Sequence, residues 1–399
     1  MTRSSNLRIR GLSVVSAVGA NTADWSAALQ SSAASISRPK ELGGRSVFSL
    51  AASARSLVEE QGRKPTYRKL DRTTLLALAA ANSTIARSGK ESRIGCVTLG
   101  SSRGPTQTLE STYEDFLREE GRVPLLTSPA TTAGNLASWV AQSCLFEGDH
   151  LSEQHEVAAI STSMTCSSAF HSLLVATSFI KANLAQACLF GGAEACLTAY
   201  TVAQLEALRI YTTDSGPWPC RPFCGETSSA NSVTLGEAAG TALLLPGDTP
   251  GQDGDLELLG LGWSMEEIPS ATGISHDGAA FQRSMRMAAA GVHDRAVDAV
   301  IAHAPGSLKG DRAELQAIRA VFGDVLVCTT KHLSGHTYAS SGMVSLSLAQ
   351  ALLDSARWQG LPYPSIVEPT AHKPGLRVIA INTAGFGGNA ITAIVGKSD

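Results

Sequence analysis

This 399-residue sequence predicts an α/β fold. Predicted strands and helices alternate along its whole length, the pattern of a sheet covered by helices. Hydrophobic residues make up 43% of the chain and aromatics only 5%, so Ala, Val, Leu and Gly fill the core and let helices approach a sheet closely. There is also a faint internal echo. Ser167-Ser168-Ala169-Phe170-His171-Ser172-Leu173-Leu174 is matched by Tyr338-Ala339-Ser340-Ser341-Gly342-Met343-Val344-Ser345-Leu346, and Leu189-Phe190-Gly191-Gly192-Ala193 by Gly385-Phe386-Gly387-Gly388-Asn389.

The opening strand covers 7–15, and Gly19-Ala20-Asn21-Thr22 turns the chain into a helix over 24–29. Residues 31–64 are polar and Ser/Arg-rich and read as a loop-rich insertion with one short strand. Leu70, Thr74, Leu78 and Ala81 repeat at helical spacing and predict a helix over 70–86. A buried strand follows at 93–100, then helices near 106–117 and 133–144. The strand 157–161 delivers the chain to Cys166, with a helix behind it at 168–182 and a strand at 187–191. Strands at 237–245 and 256–264 open the second part and lead to a helix near 278–290. The strand 296–302 presents His303, and a helix follows over 311–322. A short strand at 325–329 precedes His336 and the helix 339–356, and strands 377–382 and 391–395 pair at the end. The Gly/Asp-rich loop 247–255 is the natural seam, dividing the chain into 1–247 and 248–399.

Length allows one or two intimately packed units. A net charge of −3 argues against a nucleic-acid partner, which would need clustered basic charge. No apolar run is long enough to span a bilayer, and Met1-Thr2-Arg3-Ser4-Ser5 lacks the apolar core of a signal peptide, so a cytoplasmic location is expected. In that reducing compartment the eight cysteines are expected to be free thiols. Cys220 and Cys224 have a CxxxC spacing, but no second close pair accompanies them and the context is a turn, so no metal site is expected.

Chemistry concentrates at three positions. Cys166 lies in Thr165-Cys166-Ser167-Ser168-Ala169, too small and hydrophilic for simple core filling, at a predicted helix start where backbone N–H groups favour a thiolate. Cysteine suits acyl transfer because it is nucleophilic and leaves well again. His303 opens His303-Ala304-Pro305-Gly306-Ser307, and His336 closes Lys331-His332-Leu333-Ser334-Gly335-His336. Two imidazole N–H donors aimed at one carbonyl oxygen can stabilise the enolate formed when a malonyl thioester loses CO₂. His171, five residues after Cys166, reads as a packing position, and Lys331 is a better candidate than its neighbour His332.

The order and wording of these segments resemble the β-ketoacyl-acyl carrier protein synthases of the thiolase superfamily. Beyond the three reactive residues, the resemblance is carried by Tyr67-Arg68-Lys69-Leu70-Asp71-Arg72, Gly191-Gly192-Ala193-Glu194-Ala195, Cys220-Arg221-Pro222-Phe223, Leu235-Gly236-Glu237-Ala238-Ala239-Gly240, Thr330-Lys331 and the loop from Asn382 through Gly388. It implies two duplicated βαβαβαββ halves stacked as a five-layered α-β-α-β-α sandwich. It also implies that Cys166 takes the acyl chain, that His303 and His336 handle malonyl decarboxylation, and that Lys331 and Glu314 form a buried charge pair organising them. Phe386 would gate the acyl pocket, its amide and that of Cys166 forming an oxyanion hole. Ser307 would meet the phosphopantetheine arm, and Arg68, Lys69 and Arg72 would form a basic face for acyl carrier protein. The implied partners are acyl and malonyl thioesters, the carrier protein, and a second ketosynthase chain in a homodimer or heterodimer. No resident cofactor is implied, because phosphopantetheine arrives on the carrier.

Several positions depart from the family pattern. Thr165 stands where the family usually has Ala, Ala304 and Pro305 replace a Gly-Thr pair, and Ala384 replaces a phenylalanine. An intact triad in unusual surroundings points to a specialised synthase, for fatty acid, polyene or polyketide chains. The rival expectation is a weakly active partner subunit of chain-length-factor type, although such subunits commonly lack the nucleophile. A degradative thiolase is disfavoured because no cysteine occurs after Cys328.

Overall fold

The computed structural model describes residues 7–31, 35–89, 93–146, 156–225, 230–268, 270, 273–292, 295–367 and 375–397. In chain order the elements begin with β1 (Leu7–Val15), α1 (Thr22–Ser31), β2 (Ile36–Ser37), a 3-10 turn (Lys40–Leu42), β3 (Val47–Phe48), α2 (Ala52–Arg63) and α3 (Arg72–Ser88). Next come β4 (Ile94–Gly100), α4 (Thr106–Arg118), α5 (Thr127–Thr131), α6 (Asn135–Phe146), β5 (Ala158–Thr162), α7 (Ser168–Lys181), β6 (Ala187–Glu194) and α8 (Ala199–Ala207). Then follow β7 (Ala238–Pro246), β8 (Leu256–Met265), α9 (Ala279–Ala289), β9 (Ala299–Ile301), α10 (Leu308–Phe322) and β10 (Leu326–Cys328). The chain ends in α11 (Lys331–Ser334), α12 (Ser341–Asp354), β11 (Val378–Gly385) and β12 (Asn389–Lys397).

The strands form a ten-stranded sheet ordered β10-β9-β11-β12-β8-β1-β7-β6-β4-β5. From the middle outward each half repeats one order: its first strand, then its fifth, fourth, second and third. The halves meet where β1 pairs with β8 over only Leu7↔Leu258, Arg8↔Glu257 and Ile9↔Leu256. Strand alternation then sorts side chains into layers, because successive residues point to opposite faces. On β6, Cys188 and Phe190 enter a central apolar cluster with α7 and α12, while Leu189 enters an outer cluster with α3 and α6. On β11, Ile379 and Ile381 join the central cluster, and Val378 and Ala380 join another outer cluster with α9 and α10. The result is the five-layered α/β sandwich, with α7 and α12 in the middle.

Small residues set the spacing of that middle layer. A Cβ on Gly192 would approach Ala169 Cβ to 2.8 Å and Ala339 O to 3.1 Å, and one on Gly342 would meet Phe170 Cδ1 at 2.6 Å. Both lie inside van der Waals contact, so the helices can sit this close only because those side chains are absent.

One segment differs from expectation. Residues 31–64 hold not a loop with a single strand but the β2–β3 ribbon and the twelve-residue helix α2. Its buried positions Ala54, Val58 and Gln61 do fall on one helical face. Only one of them is strongly apolar, so Ser, Arg and Glu dominate the composition and hide the period. Helix α8 had no sequence assignment either, although the Thr198 side chain caps it by accepting from Thr201 N.

The 247–255 seam is pinned by an ion pair. Asp255 accepts from Arg10 Nε at 3.1 Å and Arg10 Nη2 at 2.8 Å, with Arg8 Nη1 at 3.7 Å, all buried. Removing one member of a buried pair leaves the other desolvated and uncompensated. Asp255→Ala is therefore expected to cost roughly 3–5 kcal/mol in chemical denaturation. An unchanged unfolding midpoint would show that the seam does not depend on it.

Candidate active site

Cys166, the predicted nucleophile, sits on the short turn between β5 and α7. Ser167 N donates to Met164 O and Ser168 N to Thr165 O, and the Ser168 hydroxyl bonds both Thr165 O and Met164 N. Thr165 is forced to φ 50, a left-handed conformation that β-branched residues resist. The terminal loop helps to hold it there. Asn389 Nδ2 donates to Phe386 O at 3.1 Å and Ser167 Oγ donates to Asn389 Oδ1 at 2.5 Å, while the Thr165 hydroxyl, 3.4 Å from Phe386 O, donates to Met164 O at 2.8 Å. A Cβ on Gly385 would overlap Thr165 Oγ1, so glycine is required there for the loop to close on the turn.

Cys166 is 6% exposed, and its Sγ lies 3.2 Å from His336 Nε2. His303 stands edge-on to His336, ring centres 5.3 Å apart. The structure thus brings together all three residues predicted to be reactive. His336 is fixed by its own N–H donating to Thr234 O at 2.7 Å and by Ser341 Oγ 3.5 Å from Nδ1. His303 follows β9, and its turn is fixed by Glu314 on α10. That carboxylate accepts from His303 N and Ala304 N at 2.8 Å each and from Asn382 Nδ2 at 3.1 Å. Asp311, one helical turn earlier, similarly takes Phe223 N, Gly306 N and Ser307 N. Ser307 lies on this turn as the residue preceding α10.

Two electrostatic expectations are corrected. Lys331 is 1% exposed but makes no ion pair with Glu314. Among the described residues its ammonium reaches only Thr330 Oγ1, at 3.5 Å, while Glu314 is saturated by amides. The two feel each other through space, and burial pulls the Lys331 ammonium down to about 8. Nor does the helix start make Cys166 a resting thiolate. Burial, followed by the charge of Glu194, pushes the thiol up to about 12, with Lys331 acting against them. Burial holds His336 down to about 3, aided by Lys331. His303 is held well below the usual imidazole range by burial, then by His336 and Lys331. At neutral pH the resting site is therefore a neutral thiol beside two neutral imidazoles.

Glu194, at the end of β6, is the important group not singled out from sequence. It accepts from Ser101 Oγ (3.0 Å), Ser102 N (2.8 Å), Arg103 N (3.1 Å) and Ala339 N (3.3 Å). It therefore ties the loop after β4 to the segment just past His336. The available signal was a lone carboxylate closing a strand of small and apolar residues, Ala187-Cys188-Leu189-Phe190-Gly191-Gly192-Ala193. His171 is a satisfied packing histidine, its Nδ1 3.2 Å from both Ser167 O and Ser167 Oγ. His332 is buried among Trp218, Trp358 and Tyr363, away from the reactive cluster's ring contacts. Phe386 is 42% exposed at the tip of the terminal loop. Arg68 and Lys69 are exposed on the turn before α3, but Arg72 is not free for docking. Its guanidinium is committed to Glu237 by a paired contact at 2.6 and 2.7 Å.

Comparison with known proteins decides the family. The N-terminal domain of beta-ketoacyl synthases matches residues 49–249 and the C-terminal domain matches residues 257–358. The chain belongs to the β-ketoacyl synthase family. It is 25% identical over 380 residues to nodulation protein E of Rhizobium meliloti, covering 91% of this chain and 88% of that protein. It is 25% identical over 363 residues to 3-oxoacyl-[acyl-carrier-protein] synthase 2 of Staphylococcus aureus, covering 83% and 85%. A beta-ketoacyl synthase from Burkholderia phymatum superposes with a TM-score of 0.83 at 21% identity over 100% of both chains. The ishigamide ketosynthase/chain length factor superposes equally well, at 0.83 and 20% identity over 100% of both. This ketosynthase is thus an acyl-transferring condensing enzyme of thiolase-like fold, and among its described residues no helix is long and apolar enough to cross a membrane.

The opposing charges around Cys166 give a signed test. At a pH slightly above neutral, Glu194→Gln removes a negative charge and should speed iodoacetamide alkylation of Cys166 severalfold. Lys331→Met removes a positive charge and should slow it. If Glu194→Gln slows alkylation while the fold stays intact by circular dichroism, the carboxylate acts through position alone.

Proposed function

We propose that this enzyme elongates a Cys166-bound acyl chain by decarboxylative condensation with malonyl-acyl carrier protein. The observation that carries the reading is the 3.2 Å contact between Cys166 Sγ and His336 Nε2, with His303 beside it. Cys166 sulfur adds to the carbonyl of an incoming acyl thioester. The tetrahedral adduct collapses, the carrier's carbon–sulfur bond breaks, and the thiol proton passes to the departing phosphopantetheine sulfur. The Cys166 amide, 3.0 Å from a Cβ position on Gly385, and the Phe386 amide are suited to hold the oxyanion. Malonyl thioester then binds by the histidines and loses CO₂, leaving an enolate. In the tautomer whose Nδ1 accepts from Ser341 Oγ, 3.5 Å away, His336 presents Nε2–H, and His303 Nδ1 has no hydrogen-bond partner among the described residues, so both rings can donate to the enolate oxygen. Neutral imidazoles suit this task, because they donate without first losing charge. The enolate carbon attacks the acyl–Cys166 carbonyl, a carbon–carbon bond forms, and the carbon–sulfur bond to Cys166 breaks, the departing thiolate taking a proton from solvent to regenerate the thiol. Lys331 supplies a buried positive charge to the site, and Glu314 keeps the His303 turn in place.

No resident cofactor enters this scheme; the phosphopantetheine arm comes with the carrier, past Ser307. The chain is read as acting in the cytoplasm. It is read as working with a second ketosynthase-type subunit, as in the ketosynthase/chain length factor assembly it resembles in fold. The exposed apolar face of α4 (Leu109, Tyr113, Phe116 and Leu117) and the sheet edge at β5 offer a surface for that subunit. Retention of Cys166 and both histidines favours the active role over that of a silent partner.

His303→Ala or His336→Ala should leave acyl loading of Cys166 measurable by intact mass. CO₂ release from malonyl thioester should fall by at least about a hundredfold, the scale of one lost oxyanion donor. Equal loss of both steps would mean that the site has collapsed. Charge reversal at Arg68 and Lys69 should slow carrier-dependent turnover at low salt, and the deficit should shrink as salt rises, because exposed rim charges act on encounter. A salt-independent deficit would place the carrier elsewhere.

A further inference from the structure

His336 combines a fixed backbone with a ring that has little to aim it. Its N–H donates to Thr234 O at 2.7 Å and its carbonyl accepts from Gly236 N at 3.1 Å, which locks the main chain in place. The last torsion of a histidine side chain is broad, so contacts must set the ring's direction. Two hydrogen-bond contacts are available among the described residues. Nδ1 lies 3.5 Å from Ser341 Oγ, at the outer limit of such a bond, and Nε2 lies 3.2 Å from Cys166 Sγ. The second contact belongs to the resting enzyme. Once Cys166 carries an acyl group its sulfur is a poor acceptor, and Nε2–H has to serve the malonyl unit instead.

Two rings stand against His336. His303 meets it edge-on with centres 5.3 Å apart, and the ring of Tyr338 lies 5.1 Å away at an interplanar angle of 35°. Both separations fall in the range of favourable aromatic pairs. Of the two, Tyr338 is the anchored one: it is 7% exposed and packs in one apolar cluster with Cys196, Val233 and Leu235. Its backbone is strained, at φ 44 in the left-handed region that glycine and asparagine favour. The turn is held there all the same. Thr337 O accepts from Ser340 N at 3.1 Å and from Ser340 Oγ at 2.8 Å, and Ala339 N donates to Glu194 at 3.3 Å. Residues two apart on a helix do not face each other, so this departure from helical geometry lets the Tyr338 ring come back against His336. Strain that the surroundings over-determine gathers at functional sites.

We propose that Tyr338 is a positioning residue whose aromatic ring holds the His336 imidazole in the orientation that the malonyl half-reaction needs. This rests on the condensing reaction proposed above. The ring acts by contact, so its hydroxyl is not required. Acyl loading depends on it less, because Cys166 itself still touches Nε2 at that stage.

The test uses the full-length protein and separates the two half-reactions. Loading of Cys166 from the N-acetylcysteamine thioester of hexanoate is read by intact mass, and CO₂ release from the malonyl thioester is read with the acylated enzyme. Tyr338→Leu should load within about twofold of wild type while its CO₂ release falls roughly three- to tenfold, the range an aromatic pair supplies. Tyr338→Phe should match wild type in both steps. Should Tyr338→Leu fail to fold, Tyr338→Asn, which suits the left-handed backbone, carries the same expectation. Equal loss of loading and CO₂ release overturns the inference and makes the ring a packing residue. Unchanged CO₂ release in Tyr338→Leu overturns it too, and a Tyr338→Phe variant as slow as Tyr338→Leu assigns the effect to the hydroxyl instead. If wild type loads Cys166 yet releases no CO₂, the condensing reaction itself is wrong. A crystal structure of Tyr338→Leu then still decides the positioning: the His336 ring should take a second orientation, and an unmoved ring sinks the proposal.

Discussion

Everything in the site depends on bringing Cys166 and His336, 170 positions apart in sequence, to 3.2 Å across the middle of the sandwich. Each stands before its own central helix, and the two helices pack against each other between the halves of the sheet. That distance is fixed by absences of side chain. Gly192 and Gly342 leave the space that Ala169, the Ala339 carbonyl and Phe170 occupy, so any larger residue would push the cysteine and histidine apart. Packed interiors have no slack to absorb even a methyl group. The low aromatic content follows from the same geometry, because a middle layer shared by two helix starts must be thin.

Such a thin, buried layer constrains the charges it can carry. Three of the buried carboxylates, Glu194, Glu314 and Asp311, are each held chiefly by backbone amides rather than by a cation. Amides are fixed donors that satisfy a carboxylate without adding a mobile side chain. Burial still raises all three to about 7, so the interior stands close to neutrality and small local changes can move a proton. Lys331 is thereby left as a through-space charge rather than half of an ion pair. A closed Lys331–Glu314 bridge would cancel the field acting on Cys166 and the histidines. The open arrangement preserves it.

The sequence disclosed the elements whose pattern has one cause. Apolar strands such as β6 and β7 are buried on both faces and read directly from their residues. The three candidate residues were legible because glycine-marked turns isolate His303 and His336 from the apolar runs and a small, hydroxyl-rich run isolates Cys166. Helix α2 was not, because only its narrow Ala54–Val58–Gln61 face is buried and its composition is that of a surface loop. Glu194 was missed for a different reason. Its meaning lies in a partner far away in sequence, the Ala339 amide. Arg72 was misread on the same ground, since nothing local shows that Glu237 captures it.

The departures from the family pattern turn out to be physically connected. Placing a β-branched residue in a left-handed conformation costs on the order of 1–3 kcal/mol, and Thr165 does so immediately before the nucleophile. Its hydroxyl donates to the Met164 carbonyl at 2.8 Å and stands 3.4 Å from both the Phe386 carbonyl and Asn389 Nδ2, contacts that an alanine could not make. The Asn389 bridge between Ser167 and the Phe386 carbonyl fastens the terminal loop to the cysteine turn. That bridge holds the terminal loop against the cysteine turn while leaving the Phe386 ring exposed. Strain at Thr165 is thus coupled to closure of the terminal loop, because the Gly385 backbone can lie against Thr165 Oγ1 only where no Cβ stands between them.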